Sequence, residues 1–308
     1  MHREGFLQAG LYLTLSAAFL AAVVGVCLLG GRLLAPFAFF TAYHPLWQLA
    51  IWENIFLNLV FWAVGVIFFR QDAFLFDSFG WPTSPVYAAL FFLNSAGNPE
   101  RQQLCLFLSC LYCVRLNANY FRAEGWGFVG LEDWRYVVIR KQLAARGIGW
   151  LIPSFFLVYI SQWIMVFLAT APIYFVMTDA SQLSVLDAAC AAIMLSGILL
   201  EFFADSQLQN FIAFEKQPGT ILQTGLWSLS RHPNYAGQCL VWLGLGLWGL
   251  SSGSEALVFA GSCNIAALVV FYSIDAMEER MLATPSRRKA FESYQKSTSR
   301  LLLWPRSQ

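Results

Sequence analysis

The chain has 308 residues, of which 58% are hydrophobic and 12% charged, about half the charged share of an ordinary soluble domain. Its formal net charge is +1, so it lacks the basic excess that a nucleic-acid surface needs. Its seven cysteines are odd in number and fall mostly within apolar runs, which argues against a secreted disulfide framework and for reduced packing residues.

A helix needs about 20 apolar residues to cross the hydrocarbon core, because no water is present there to satisfy an open backbone. In chain order, residues 6–29, 46–69, 150–177, 184–203, 235–250 and 256–274 meet that length. Two weaker runs, 81–94 and 103–120, bring the expected total to about eight spans. Arg3 gives the first run a basic flank like that of a signal peptide, but the run is long and lacks a clear cleavage site, so a retained helix is expected. The expected fold is therefore all-α, a polytopic transmembrane bundle. No repeat, linker or low-complexity tract divides residues 1–308, which we read as one integral membrane domain.

Basic residues cluster in 115–146, around Lys216 and Arg231, and in 280–306, and are missing from 179–187 and from the turn holding Glu255. The positive-inside rule puts the three basic segments in the cytosol and both termini with them.

Several runs invite a chemical reading. Gly244-Leu-Gly246-Leu-Trp-Gly249 matches the glycine-rich dinucleotide pattern, yet it lies inside an apolar span with no preceding strand, so helix packing is expected. Cys110-Leu-Tyr-Cys113 matches a redox or metal pair, but without a second ligand pair nearby we expect packing and no metal. The stretch from Gly225 to Gln238 runs from a loop into a span, with Pro233 placed for a first helical turn. Arg231 and His232 beside that helix N-terminus form an expected anion corner suited to phosphate. Tyr235 and Gln238, three residues apart, share a face. An interfacial anchor explains the same residues equally well.

Glu201 and Asp205 stand at i and i+4 with Gln207 beside them, and carboxylates at membrane depth are costly and usually functional. A salt bridge to Arg231 or a buried hydrogen-bond network is the plainer alternative. Asp275, Glu278, Glu279 and Arg280 follow the last span. In the first half, Glu53, Asn54 and Asn58 interrupt an apolar run. Desolvation there favours the protonated form of Glu53, a candidate donor to a carbonyl, with an interhelical polar contact as the alternative.

Together these residues resemble the membrane steroid 5-alpha-reductase-like family, including its poorly characterised branch. The resemblance covers most of the chain. It rests on Gly225-Leu-Trp with Ser230-Arg-His-Pro-Asn-Tyr-Ala-Gly237, Glu201 with Ala204-Asp205-Ser-Gln207, and Glu132-Asp-Trp-Arg-Tyr136 preceded by Arg115-Leu-Asn-Ala-Asn119. It implies an enzyme that uses NADPH to reduce a carbon–carbon double bond conjugated to a carbonyl in a sterol or other isoprenoid. The lipid would be received by helices of residues 1–120 and the cofactor by 121–308. Arg231, His232, Asn234, Tyr235, Glu201, Asp205, Gln238, Lys216, Glu279 and Arg280 would surround the cofactor, and Arg115, Asn119, Asp133 and Arg135 would close the site. The family's hydrogen-bond donors to the carbonyl would correspond to Glu53 and Tyr87. The chain departs from the pattern at Gln238, where a glutamate is usual, at Ser228 and at Leu303; glutamine keeps hydrogen bonding but loses the charge.

An S-adenosylmethionine-dependent membrane methyltransferase shares the Arg-His-Pro motif and is the main rival reading, followed by a non-catalytic lipid-binding relative. The expected location is the endoplasmic reticulum membrane in a eukaryote or the inner membrane in a bacterium.

Overall fold

Proline at helix starts and polar caps set most of the element boundaries. The computed structural model describes residues 44–53, 58–59, 62–63, 65–66, 80–122, 134–215 and 217–304. Helix α1 (Pro45–Trp52) opens on a proline, and His44 caps it by accepting the Leu46 amide at 3.3 Å. Helix α2 (Trp81–Phe91) and helix α3 (Pro99–Arg122) form a hairpin, where the Asn98 side chain accepts the amides of Glu100 and Arg101 at 3.0 and 3.1 Å. Helices α4 (Trp134–Ala145) and α5 (Leu151–Thr178) follow. In helix α6 (Val185–Phe214), Ser184 and Asp187 form a capping box. Helix α7 (Pro233–Ser251) again begins on proline, as its sequence requires, and is followed by α8 (Ala256–Ala283) and α9 (Pro285–Ser297). No strand forms among the described residues, where a single isolated parallel bridge joins Ser230 to Ser299.

Three described helices, α5, α6 and α8, are long and apolar enough to cross a membrane, with 28, 30 and 28 residues. They coincide with three of the expected spans. Helix α7 has 19 residues, but its first turns carry Asn234, Tyr235 and Gln238, and it is not one of the three. Helix α2 reaches only 11 residues, about 16 Å at 1.5 Å per residue, half of the hydrocarbon thickness. The expected span 6–29 lies outside the described residues.

The chain divides into two units, Met1–Gln182 and Leu183–Gln308. In the first, described residues after His44 meet α5 in antiparallel order. His44 packs on Tyr174 with ring centroids 5.3 Å apart, Glu53 lies beside Trp163, and Trp62 packs on Phe155 at 5.2 Å while its indole donates to Ser154 Oγ at 3.2 Å. The far end of α5 is locked by Arg101, which is 1% exposed. Its guanidinium donates to the carbonyls of Asp179, Ser181 and Gln182 at 2.8, 2.9 and 3.1 Å and pairs with the Asp179 carboxylate at 3.3 Å. A cation at a helix C-terminus meets both the unpaired carbonyls and the negative dipole end. The 179–187 connection, devoid of basic residues in sequence, thus receives its cation from α3.

In the second unit α6 and α7 pack at backbone contact. A Cβ on Gly197 would stand 2.6 Å from the Gly237 carbonyl oxygen, and one on Gly244 would stand 2.7 Å from the Met194 nitrogen. The run from Gly244 to Gly249 is therefore helix packing, as its context indicated. At the same pair's other end, the buried Trp248 indole donates to Asp187 Oδ1 at 2.7 Å.

Replacing Arg101 by methionine leaves Asp179 and three carbonyls without their donor and is expected to cost roughly 3 to 5 kcal/mol. Thermal unfolding in detergent checks this, with exposed Glu100→Gln as a control expected within about 0.5 kcal/mol of wild type. An R101M protein that melts with the control would show that the clamp contributes nothing.

Candidate functional site

The loop before α7 is tied down from three directions. The Trp227 indole donates to the Ala204 carbonyl at 3.0 Å, and the Leu226 amide donates to Gln207 Oε1 at 2.9 Å, which fixes the loop to α6. From α9, the Tyr294 hydroxyl donates to the carbonyls of Trp227 and, at 3.2 Å, Ser230. Burial pushes that hydroxyl above its ordinary pKa, keeping it a donor. The tail beyond α9 then runs alongside the loop. The Arg231 amide donates to the Ser299 carbonyl at 2.8 Å, Ser230 Oγ donates to that of Leu301 at 2.9 Å, and the Trp304 amide donates to that of Leu229 at 3.3 Å.

At the centre of this corner is the Glu278 carboxylate. Arg231 Nε reaches Oε1 at 2.9 Å, His232 Nε2 reaches the same oxygen at 2.9 Å, and Gln295 Nε2 donates to Oε2 at 2.7 Å. Arg231 also donates to the carbonyls of Thr298 and Gln295 at 2.7 and 3.2 Å, and His232 stacks on Tyr235 with the rings 12° from parallel. The anion corner expected at Arg231 and His232 is thus filled by the protein's own carboxylate. The plainer alternatives for Glu201 and Asp205 were a salt bridge to Arg231 or a buried hydrogen-bond network; the carboxylate on Arg231 is Glu278, and Asp205 enters a hydrogen-bond network. Asp205 instead accepts from Asn234 Nδ2 at 3.1 Å, and the Tyr235 amide donates to Asn234 Oδ1 at 3.0 Å. Glu201 is buried where α6 meets Gly237: a Cβ on that glycine would come within 2.6 Å of Glu201 Cγ. Gln238 is buried one position further along α7.

Glu279 and Arg280 point to the surface and take no part in the carboxylate hub. Sequence reasoning grouped Glu278 with them. The separating signal is spacing: Asp275 and Glu278 share a face at i and i+3, and both meet the C-terminal segment, Asp275 through Arg300 and Glu278 through Gln295. Lys216 and Asp133 lie outside the described residues.

The remaining expected site residues belong to the first unit. Tyr87 is buried on α2, and Arg135 opens α4. Arg115 lies over the Tyr112 ring at 5.6 Å, with its Nε buried and without a hydrogen bond, as is Asn119 Oδ1. Glu53 is 0% exposed, and its carboxyl oxygens are not saturated by hydrogen bonds. The polar group beside it is the Trp163 indole, and both amide atoms of Asn58 are buried without a hydrogen bond. A tryptophan in an apolar run carries no sequence signal of this kind, and Trp163 was not foreseen.

The family model described as a protein of unknown function, DUF1295, matches residues 49–298. An uncharacterized protein of Schizosaccharomyces pombe is 26% identical over 253 residues, covering 73% of this chain and 71% of that one. No solved structure matches the chain.

Glu278→Ala and Arg231→Ala are each expected to cost roughly 2 to 4 kcal/mol, a buried ion pair's cost reduced by partial solvent screening. Together they should cost little more than either alone, since they remove one network. Amide hydrogen exchange provides the check: both variants should speed exchange of the Arg231 and Trp304 amides, and Glu279→Gln should not.

Proposed function

The chain belongs to the DUF1295 family, and on that premise we propose that it is a membrane-embedded reductase that uses NADPH to reduce a double bond conjugated to a carbonyl in an isoprenoid lipid. The observation that carries this reading is Glu53, a fully buried carboxyl group whose oxygens are not saturated by hydrogen bonds and which has the Trp163 indole beside it, alongside a helix long and apolar enough to cross a membrane. A buried polar group left unpaired costs about 1 to 3 kcal/mol, and such a group at membrane depth marks a ligand position. In its acid form Glu53 offers an O–H to a substrate carbonyl and so stabilises the enolate that develops during reduction. Tyr87, also buried, is the second candidate donor.

The sequence resemblance to steroid 5-alpha-reductase-like enzymes supports the cofactor assignment, and the start of α7 fits part of it. Asn234, Tyr235 and Gln238 are neutral hydrogen-bonding groups and Asp205 a single carboxylate, a set that suits amide and ribose hydroxyl groups. Arg231 and His232, engaged by Glu278, would act by holding that loop. When bound, NADPH supplies a hydride to the carbon beta to the carbonyl.

The purified protein in detergent should gain thermal stability with NADPH, by about 2.7 kcal/mol at a hundredfold excess over Kd, and not with S-adenosylmethionine. Turnover of an enone lipid should fall by about 10²-fold or more in Glu53→Gln. Stabilisation by S-adenosylmethionine alone would replace this reading with methyl transfer.

A further inference from the structure

The segment after α9 carries bulky apolar side chains outward. Leu302 is 74% exposed and Trp304 73%, although the backbone that bears them is fixed. The Trp304 amide donates to the Leu229 carbonyl, the Leu301 carbonyl accepts from Ser230 Oγ, and the Ser299 carbonyl accepts from the Arg231 amide. Large apolar groups shown outward by an ordered segment mark a surface that something else covers.

What covers them follows from their depth. Helix α8 is free of charged residues from Ala256 to Ile274, between Glu255 and Asp275. At 1.5 Å per residue that stretch measures about 28 Å, close to the hydrocarbon thickness of a bilayer, about 30 Å. The segment after α9 is attached at its Asp275 end. Arg300 pairs with the Asp275 carboxylate and donates to the Val270 carbonyl at 3.0 Å, in the π turn Val269–Ser273. Both members of the ion pair are exposed to a similar extent, as charges at a wetted boundary are. One turn deeper on the face of Asp275 stands Phe271, 78% exposed, with Tyr272 beside it at 52%. Exposed charge thus gives way to exposed aromatic surface at the level where Arg300 holds the segment, and the boundary between water and hydrocarbon is where an amphipathic indole is favoured.

We propose that residues 299–304 are an interfacial anchor, with Leu302 and Trp304 set into the headgroup–acyl boundary of the bilayer that α8 is long and apolar enough to cross. The occupant of this surface is lipid. The same segment holds the backbone of Leu229, Ser230 and Arg231, so lipid contact is the outer support of the loop before α7, as the Glu278 hub is its inner one. The assignment is independent of the reductase reading.

The test places the photoreactive residue p-benzoylphenylalanine at position 302 of the full chain in phosphatidylcholine nanodiscs. Position 271 serves as the lipid-facing reference and exposed position 292 of α9 as the comparison. Mass spectra after irradiation should show lipid adducts at 302 with a yield close to that at 271 and well above that at 292. A yield at 302 no higher than at 292, with 271 labelled, would overturn the inference. A covalent dimer formed through 302 would overturn it too, by assigning the surface to a second copy of the chain. A second readout needs no photoreactive residue. In the same nanodiscs, Trp304→Gln should speed amide exchange at Arg231 by roughly five- to tenfold, the worth of partly burying one large apolar side chain, whereas Trp304→Phe should leave it unchanged. Equal exchange in the two variants would refute the support of the loop by lipid.

Discussion

A charged group withdrawn from water costs several kcal/mol unless its polar atoms are met, and each unit of this chain is organised around one group that is met. In the first unit it is Arg101, whose guanidinium collects three carbonyls and a carboxylate where α5 ends. In the second it is Glu278, whose two oxygens are shared by an arginine, a histidine and a glutamine. The hub, on α8, draws its partners from two other places in the sequence: the loop before α7 and helix α9. The rest of that corner depends on it, because the Ser230–Ser299 bridge and the Tyr294 hydrogen bonds require the tail to lie where Arg231 holds it.

Against this background the unsatisfied groups carry meaning. A chain that supplies four hydrogen-bond partners to Arg101 is able to satisfy buried polarity where only stability is at stake. Glu53 and Asn58 are left with buried polar atoms unsaturated, and both lie among the described residues after His44. A buried polar atom without a partner calls for an explanation, and among the described residues such atoms also occur on Asn117, Asn119, Ser252 and Ser254. Arg231 and His232 are engaged by the protein's own carboxylate despite their place in the motif.

Much of the architecture was legible. The apolar runs that became α5, α6 and α8 are long and nearly uninterrupted, and Pro233 marked the start of α7 because proline is favoured in the first turn of a helix. The glycine run was correctly assigned to packing from its apolar context alone. What escaped was partnership. Arg101 binds mostly backbone carbonyls, which have no letter in a sequence. Glu278 and Glu279 are adjacent and chemically identical, and only the direction of the helix face separates the buried hub from the surface. Trp163 reads as one more apolar residue, since its place beside Glu53 becomes visible only when its neighbours are in place. Glu53 was identifiable because a carboxyl group is conspicuous in any apolar run.

The occupied state of Arg231 narrows how a dinucleotide could be read by this fold. A phosphate seeking that guanidinium would have to displace a carboxylate held by three side chains, and would bring negative charge against Glu278 itself, a like-charge contact that raises the cost. The neutral groups at the start of α7 present no such conflict. Asn234 keeps its amide oriented by Asp205 and by the Tyr235 backbone, and Gln238 is an amide able both to donate and to accept. With Glu278 already engaging Arg231 and His232, a carboxylate at position 238 would have no counter-ion among them. The start of α7 is thereby suited to uncharged portions of a ligand, and the motif arginine to keeping the loop that presents them in place.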